Sequence, residues 1–215
     1  MITSPLLSAE TKILHAFGTR GDRNLPSKIV TVEQVHGTEV LDVEEYVEGK
    51  EGYDILITDK PGIAIGIKSA DCQPILLVEP KAGIIAAVHS GWRGTLKSAV
   101  GKAVRKIEKR GGVIENILAS LGPCIGQCCC EIGPDVAVEF ETCFPEWPQI
   151  LKKISESQWR LNLTETNRQH LLGKGLNPAK IDTIDICTHC RPDLFHSYRR
   201  DGEKAGRMIS FIQRV

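Results

Sequence analysis

Gly83-Ile84-Ile85-Ala86-Ala87-Val88-His89-Ser90-Gly91-Trp92-Arg93-Gly94-Thr95 carries no polar side chain from Ile84 to Val88, then turns through two glycines. A strand apolar on both faces must be covered on both, so residues 83–89 are expected at the centre of a sheet. Beyond the turn, Leu96, Ala99, Val100, Ala103, Val104 and Ile107 follow helical spacing and make one apolar stripe. The spacing predicts a helix over 95–110, ended by Lys and Arg side chains and then Gly111-Gly112.

Upstream, short Ile- and Val-rich runs at 28–32, 40–43, 55–58, 63–69 and 75–78 read as strands. Turn signals such as Asp59-Lys60-Pro61-Gly62 and Pro80-Lys81-Ala82-Gly83 separate them. Downstream, 118–121, 181–187 and 208–212 read as strands, and 134–143 and 164–172 as helices. The early strands do not alternate with helices, which excludes a doubly wound sheet and favours an α+β fold. A chain of 215 residues builds one sizeable core, so a single domain over residues 1–215 is expected.

Lys plus Arg and Asp plus Glu each number 27, so no net charge favours nucleic acid or an anionic membrane. No apolar run approaches the roughly 18 residues of a membrane span. Met1 to Leu7 lacks a basic, then apolar, leader pattern, so a cytoplasmic protein is expected. In that compartment the eight cysteines are read as thiols, metal ligands or catalytic groups before disulfides. The balanced charge, without an apolar surface stripe, points to a monomer.

Three segments place metal-ligating residues at strand ends, where a sheet can aim them: Gln34-Val35-His36-Gly37, Ala70-Asp71-Cys72-Gln73-Pro74 and His89-Ser90-Gly91-Trp92-Arg93-Gly94. Two imidazoles and one thiolate suit zinc and leave a fourth position for water or substrate. His36, Cys72 and His89 form no local motif, however. The same spacing accommodates a turn histidine, a buried thiol and a satisfied core histidine. The Gly-rich turn with Arg93 suits an anion such as phosphate, although the glycines could equally serve only the turn.

Cys124, Cys128, Cys129 and Cys130 crowd one segment, and Cys187-Thr188-His189-Cys190 is a C-x-x-C. Together they could hold a structural zinc, although zinc ribbons use two clean C-x-x-C pairs; inert buried thiols are the alternative. Ser197-Tyr198-Arg199-Arg200-Asp201-Gly202 offers Arg199 as an anion contact or a solvated loop.

Taken in order, these motifs, with Gly122-Pro123-Cys124-Ile125-Gly126 and Ala205-Gly206-Arg207-Met208, resemble the YfiH-like laccase-domain family over nearly the whole chain. That family is described as multicopper polyphenol oxidases and now as purine nucleoside phosphorylases. The resemblance implies a single domain of four layers, α/β/β/α, with mixed sheets. It implies zinc on His36, Cys72 and His89, with copper as a possible substitute. It also implies phosphorolysis of adenosine, inosine or methylthioadenosine to free base and ribose 1-phosphate, with adenosine deaminase activity beside it. Gln34, Arg93, Arg199 and Arg20 become candidate substrate contacts, and Asp71 a candidate acid or ligand-orienting carboxylate. Alternatives are a cysteine hydrolase using Cys72 and His89, a copper-dependent polyphenol oxidase, or a peptidoglycan-precursor editing factor. A laccase with several coppers needs about ten histidine ligands, whereas this chain has six histidines in all. The chain departs from the family where the Gly-Gly-Val-Ser loop expected after Arg20 is replaced by Gly21-Asp22-Arg23-Asn24-Leu25-Pro26. Lys68-Ser69 and His196 also stand where Thr and an aromatic are usual.

Overall fold

The computed structural model describes residues 1–22 and 25–215; Arg23 and Asn24, in the shortened stretch after Arg20, lie outside the described residues. The strands are β1 (Ile13–Ala16), β2 (Ile29–Val30), β3 (Val40–Asp42), β4 (Ile55–Thr58), β5 (Ala64–Ser69), β6 (Gln73–Glu79) and β7 (Ile84–Ser90). They continue with β8 (Leu118–Leu121), β9 (Glu131–Ile132), β10 (Leu151–Ser155), β11 (Gln158–Leu161), β12 (Ile181–Thr183) and β13 (Met208–Arg214). The helices are α1 (Pro5–Ser8), α2 (Trp92–Leu96), α3 (Ala99–Lys109), α4 (Pro134–Cys143), α5 (Leu163–Gly173) and α6 (Tyr198–Asp201).

The large sheet runs β12-β8-β6-β7-β4-β3, which puts β7 inside it as its continuous apolar run requires. β7 is antiparallel to β4 and β6, while β3 pairs with β4 and β12 with β8 in parallel. A smaller mixed sheet, β1-β13-β5-β2, faces it. The expected α+β class with mixed sheets is therefore present.

The period of a strand splits the core in two. Ile55 and Ile57, Ile75 and Leu77, and Ala86 and Val88 face α3, packing against Val100, Val104 and Ile107. Leu56, Leu76 and Val78, and Ile85 and Ala87 point the other way, onto Ile65, Ile67 and Ile212 of the small sheet. These side chains are fully buried, so truncating one such as Leu77 to Ala costs about 2–5 kcal/mol. α5 joins α3 through Leu171, and on the small-sheet side the helical contribution is α1, beside β1.

Several local expectations change. The helix expected over 95–110 is two pieces, α2 and α3, with Ser98 between them in the left-handed region at φ 54°. The apolar stripe runs on through the break, which hides it. Thr95 lies inside α2 and its hydroxyl meets Ser90 Oγ at 2.8 Å, so it begins no helix. The strand expected over 181–187 stops at Thr183, and only an isolated bridge between Cys124 and Cys187 follows. The sequence reading also has no strand at 131–132 or 151–161, where β9, β10 and β11 form a third sheet. With α4 this sheet encloses a small core of Phe140, Ile150, Leu161 and Leu163.

Candidate metal centre

His89 lies near the end of β7, and Cys72 precedes β6 immediately. Gln73 pairs with Ser90 and Pro74 with His89, so sheet register sets the thiol beside the imidazole. His36 comes from the loop after β2, with its backbone left-handed at φ 59°. One ligand atom from each of His36, Cys72 and His89 lies within 4.8 Å of the others. The two rings meet edge to face at 5.0 Å between centroids.

The group that organises this centre is Asp54, fully buried ahead of β4. The backbone N–H groups of Val35, His36 and Gly37 donate to its carboxylate at 3.3, 3.0 and 2.6 Å. Successive N–H groups around a left-handed residue form a concavity for negative charge, and here a carboxylate of the chain fills it. Asp54 Oδ1 also lies 2.7 Å from His89 Nδ1. That contact occupies one ring nitrogen and leaves Nε2 for a metal, as carboxylate–histidine–metal arrangements do. Burial favours the neutral acid, yet the His89 contact and the backbone donors outweigh it and hold Asp54 below the usual carboxylate range.

Burial alone pushes the Cys72 thiol up, but the His89 charge and the His36 contact bring it down to about 6. Burial likewise opposes charge on His89, and Cys72 and Asp54 overcome it, raising the imidazole to about 9. Near neutrality the metal-free pair is thus a Cys72 thiolate beside a protonated His89, whose Nε2 proton a metal would displace. Gly91 is required by the packing: a Cβ there would stand 2.8 Å from Cys72 Sγ and 3.2 Å from His36 Cδ2. Two imidazoles, one thiolate and a glycine gap suit a divalent metal with an open position.

The centre forms part of the wall of a cleft of about 870 Å³, inside the range of roughly 300–1,000 Å³ usual for small-molecule sites. Lys68, Arg93, Arg199 and Arg207 bring positive charge to its lining, and Trp92 and Tyr198 bring aromatic faces. Arg93 stacks over Trp92 at 4.3 Å. Arg199 donates through Nη2 to Glu131 O at 2.9 Å.

Of the other sequence candidates, Gln34 lines the cleft, but its amide accepts from Lys68 N and donates to Lys68 O, both at 2.8 Å. Asp71 also lines it, and both its oxygens are engaged. Oδ1 accepts from the Thr188 hydroxyl at 2.6 Å; Oδ2 accepts from the Ser197 hydroxyl at 3.0 Å and Arg199 N at 2.7 Å. Arg20 stands apart from the cleft lining and donates to Pro192 O at 3.0 Å. Asp54, Lys68 and Arg207 were outside the sequence-derived set. The sequence signal available for Asp54 is a carboxylate opening the apolar run Ile55–Thr58.

Two facing mixed sheets, with a Cys–His cluster beside the inner strands of the larger one and next to a cationic cleft, define an α+β protein with a candidate metal site at that cleft. More particularly, residues 18–215 match the family model described as multi-copper polyphenol oxidoreductase laccase, and the chain belongs to that family. It is 35% identical over 196 residues to "Purine nucleoside phosphorylase YlmD" of Geobacillus stearothermophilus, covering 86% of this chain and 72% of that one. It is also 35% identical over 175 residues to "Adenosine deaminase RL5" of an unknown prokaryotic organism, covering 81% and 67%. The crystal structure of YlmD from Geobacillus stearothermophilus superposes with a TM-score of 0.82 at 34% identity, covering 87% of this chain and 73% of that chain. The several coppers of the family description find no matching histidine set here. Of six histidines, His15 accepts from Ser4 N at 2.9 Å and His170 meets Thr95 O at 2.8 Å, both away from the centre.

Proposed function

We propose that this chain is a zinc-dependent purine nucleoside phosphorylase, converting adenosine, inosine or methylthioadenosine with phosphate to free base and ribose 1-phosphate. The observation that carries the reading is the convergence of His36, Cys72 and His89 on a cleft whose lining is cationic and aromatic. Relatives named purine nucleoside phosphorylase support it. The nitrogen and sulfur donors fit zinc, with copper as a chemical substitute. When bound there, the ion supplies Lewis-acid charge at the cleft wall.

Phosphorolysis forms a bond from a phosphate oxygen to C1′ and breaks the C1′–N bond. The electron pair leaves with the purine, which takes up a proton. Arg93, Arg199 and Arg207 hold the phosphate and offset its charge. Trp92 and Tyr198 offer flat apolar surface to the base. Asp54 keeps His89 in one tautomer, and Asp71 holds the backbone of Arg199 so that its guanidinium meets the anion.

Inosine and phosphate incubated with purified protein should yield hypoxanthine and ribose 1-phosphate. No base release from any purine nucleoside would overturn the reading. Adenosine deaminase activity at the same centre, as the name of one relative suggests, would appear as inosine formed from adenosine without phosphate. A second reading, a cysteine hydrolase, is favoured by the low-lying Cys72 thiol, the adjacent His89 and Asp54 behind it. It requires active metal-free protein that alkylation of Cys72 abolishes.

A further inference from the structure

We infer that Cys128, Cys129, Cys187 and Cys190 form a second metal site, a zinc ion held by four thiolates. It shares no residue with the His36–Cys72–His89 centre. The four Sγ atoms lie within 4.8 Å of one another, although they come from segments some sixty residues apart. Cys128 Sγ stands 3.8 Å from Cys190 Sγ, and Cys129 Sγ 3.4 Å from it. Four sulfurs about 2.3 Å from a tetrahedral zinc lie about 3.8 Å apart, so the cluster is near the size the ion demands.

The backbone is shaped to the same end. Cys129 N and Cys130 N both donate to Gly126 O, at 2.9 and 3.0 Å, closing a tight turn that carries Cys128 and Cys129. Gly126 N donates to Cys187 Sγ at 3.2 Å. Backbone donors aimed at a sulfur neutralise part of the charge a metal-bound thiolate keeps. A Cβ on Gly126 would press on Cys187 Cβ at 3.2 Å and Cys128 Sγ at 3.3 Å, so a glycine lets the two segments close. Cys124 and Cys130 stay out of the cluster and in the apolar core beside Phe140.

The ion has mechanical work there. Among the described residues, no strand ladder joins these segments beyond the isolated Cys124–Cys187 bridge. Yet one carries Ile125 and Cys130 of the cleft lining, and the other carries Thr188, which holds Asp71. A four-thiolate ion would fasten that side of the cleft.

Metal analysis of the full chain purified under reducing, anaerobic conditions should give about two zinc ions. The double variant Cys128→Ser/Cys190→Ser should lose one and keep the other, and Cys72→Ala should lose the opposite one. Cobalt added to metal-free Cys72→Ala protein should show the intense sulfur-to-metal absorption of a four-thiolate site. Unmodified protein gives a reading independent of any variant's folding: Cys128, Cys129, Cys187 and Cys190 should resist alkylation together until a chelator frees them together. No loss of zinc in Cys128→Ser/Cys190→Ser relative to the unmodified chain, iron in place of zinc at the four thiols, a disulfide among them, or their alkylation one by one without a chelator would overturn the assignment. Each outcome is read without nucleoside turnover, so it stands apart from the phosphorylase reading.

Discussion

The His36–Cys72–His89 centre and the Cys128–Cys129–Cys187–Cys190 cluster draw on the same element, sulfur, but sit on different scaffolds. The first hangs on β6 and β7, the inner strands of the large sheet, and a buried carboxylate braces it. The second lies on turns outside the large sheet, with Cys128 and Cys190 exposed. Mixed nitrogen and sulfur donors on a rigid wall leave a position open to the cleft. Four sulfurs on turns would enclose their ion and leave nothing for a substrate. On the two proposals above, chemistry belongs to the first arrangement and fastening to the second.

The largest expected effect tests that division directly. Cys72→Ala should lower kcat/KM for inosine by about 10³-fold or more, as loss of a catalytic metal does. Cys190→Ser should cost no more than about tenfold, chiefly in KM, because it acts on the cleft wall. Equal losses from both would break the comparison. Asp54→Asn comes next: it removes the charge behind His89, and zinc affinity measured against a competing chelator should fall about 10–100-fold. Asp71→Asn should leave that affinity unchanged and raise KM for phosphate, since Asp71 holds Arg199 rather than a ligand.

Glycine substitutions sharpen the contrast further. Gly91→Ala thrusts a methyl to 2.8 Å from Cys72 Sγ on a wall that cannot give. Overpacking of this kind costs about 1–3 kcal/mol, so zinc affinity at the first centre should drop about tenfold or more. Gly126→Ala meets its neighbours at 3.2 Å and beyond, a milder crowding than at Gly91, and should weaken zinc at the second cluster by less than Gly91→Ala weakens it at the first.

The smallest effect belongs to neither cluster. Burial lowers His15 and His170 below the ordinary histidine value. The unfolded chain therefore takes up protons first as pH falls below about 6.5, and the stabilising difference is lost in that direction. Urea unfolding should show stability declining below that pH by up to about 1.4 kcal/mol per pH unit for each histidine. The same decline should persist in Cys72→Ala; its disappearance there would assign the acid sensitivity to the metal ligands instead.

What the sequence revealed follows from where burial is one-sided or complete. β7 and its neighbours were legible because every residue of β4, β6 and β7 is buried, leaving unbroken apolar runs. The β10–β11 hairpin was not, because Lys152, Lys153, Ile154 and Ser155 are all exposed and no inward face repeats. The break at Ser98 escaped because α2 and α3 share one apolar stripe. His36, Cys72 and His89 were visible as good donor types at strand ends, yet their convergence depends on register and a loop that spacing cannot supply. Asp54 escaped because it lies 18 residues from His36 and 35 from His89, and only the folded sheet brings the three together.

Asp54 carries a last consequence, for the order of events in the life of the molecule. Its carboxylate gathers the 35–37 loop and orients His89 through bonds that need no ion. The ligand loop is therefore set as the chain folds, and little backbone freedom remains to be lost when metal arrives. Loading should be a late capture by a finished receptacle, and an emptied molecule should keep its shape and stay ready to refill.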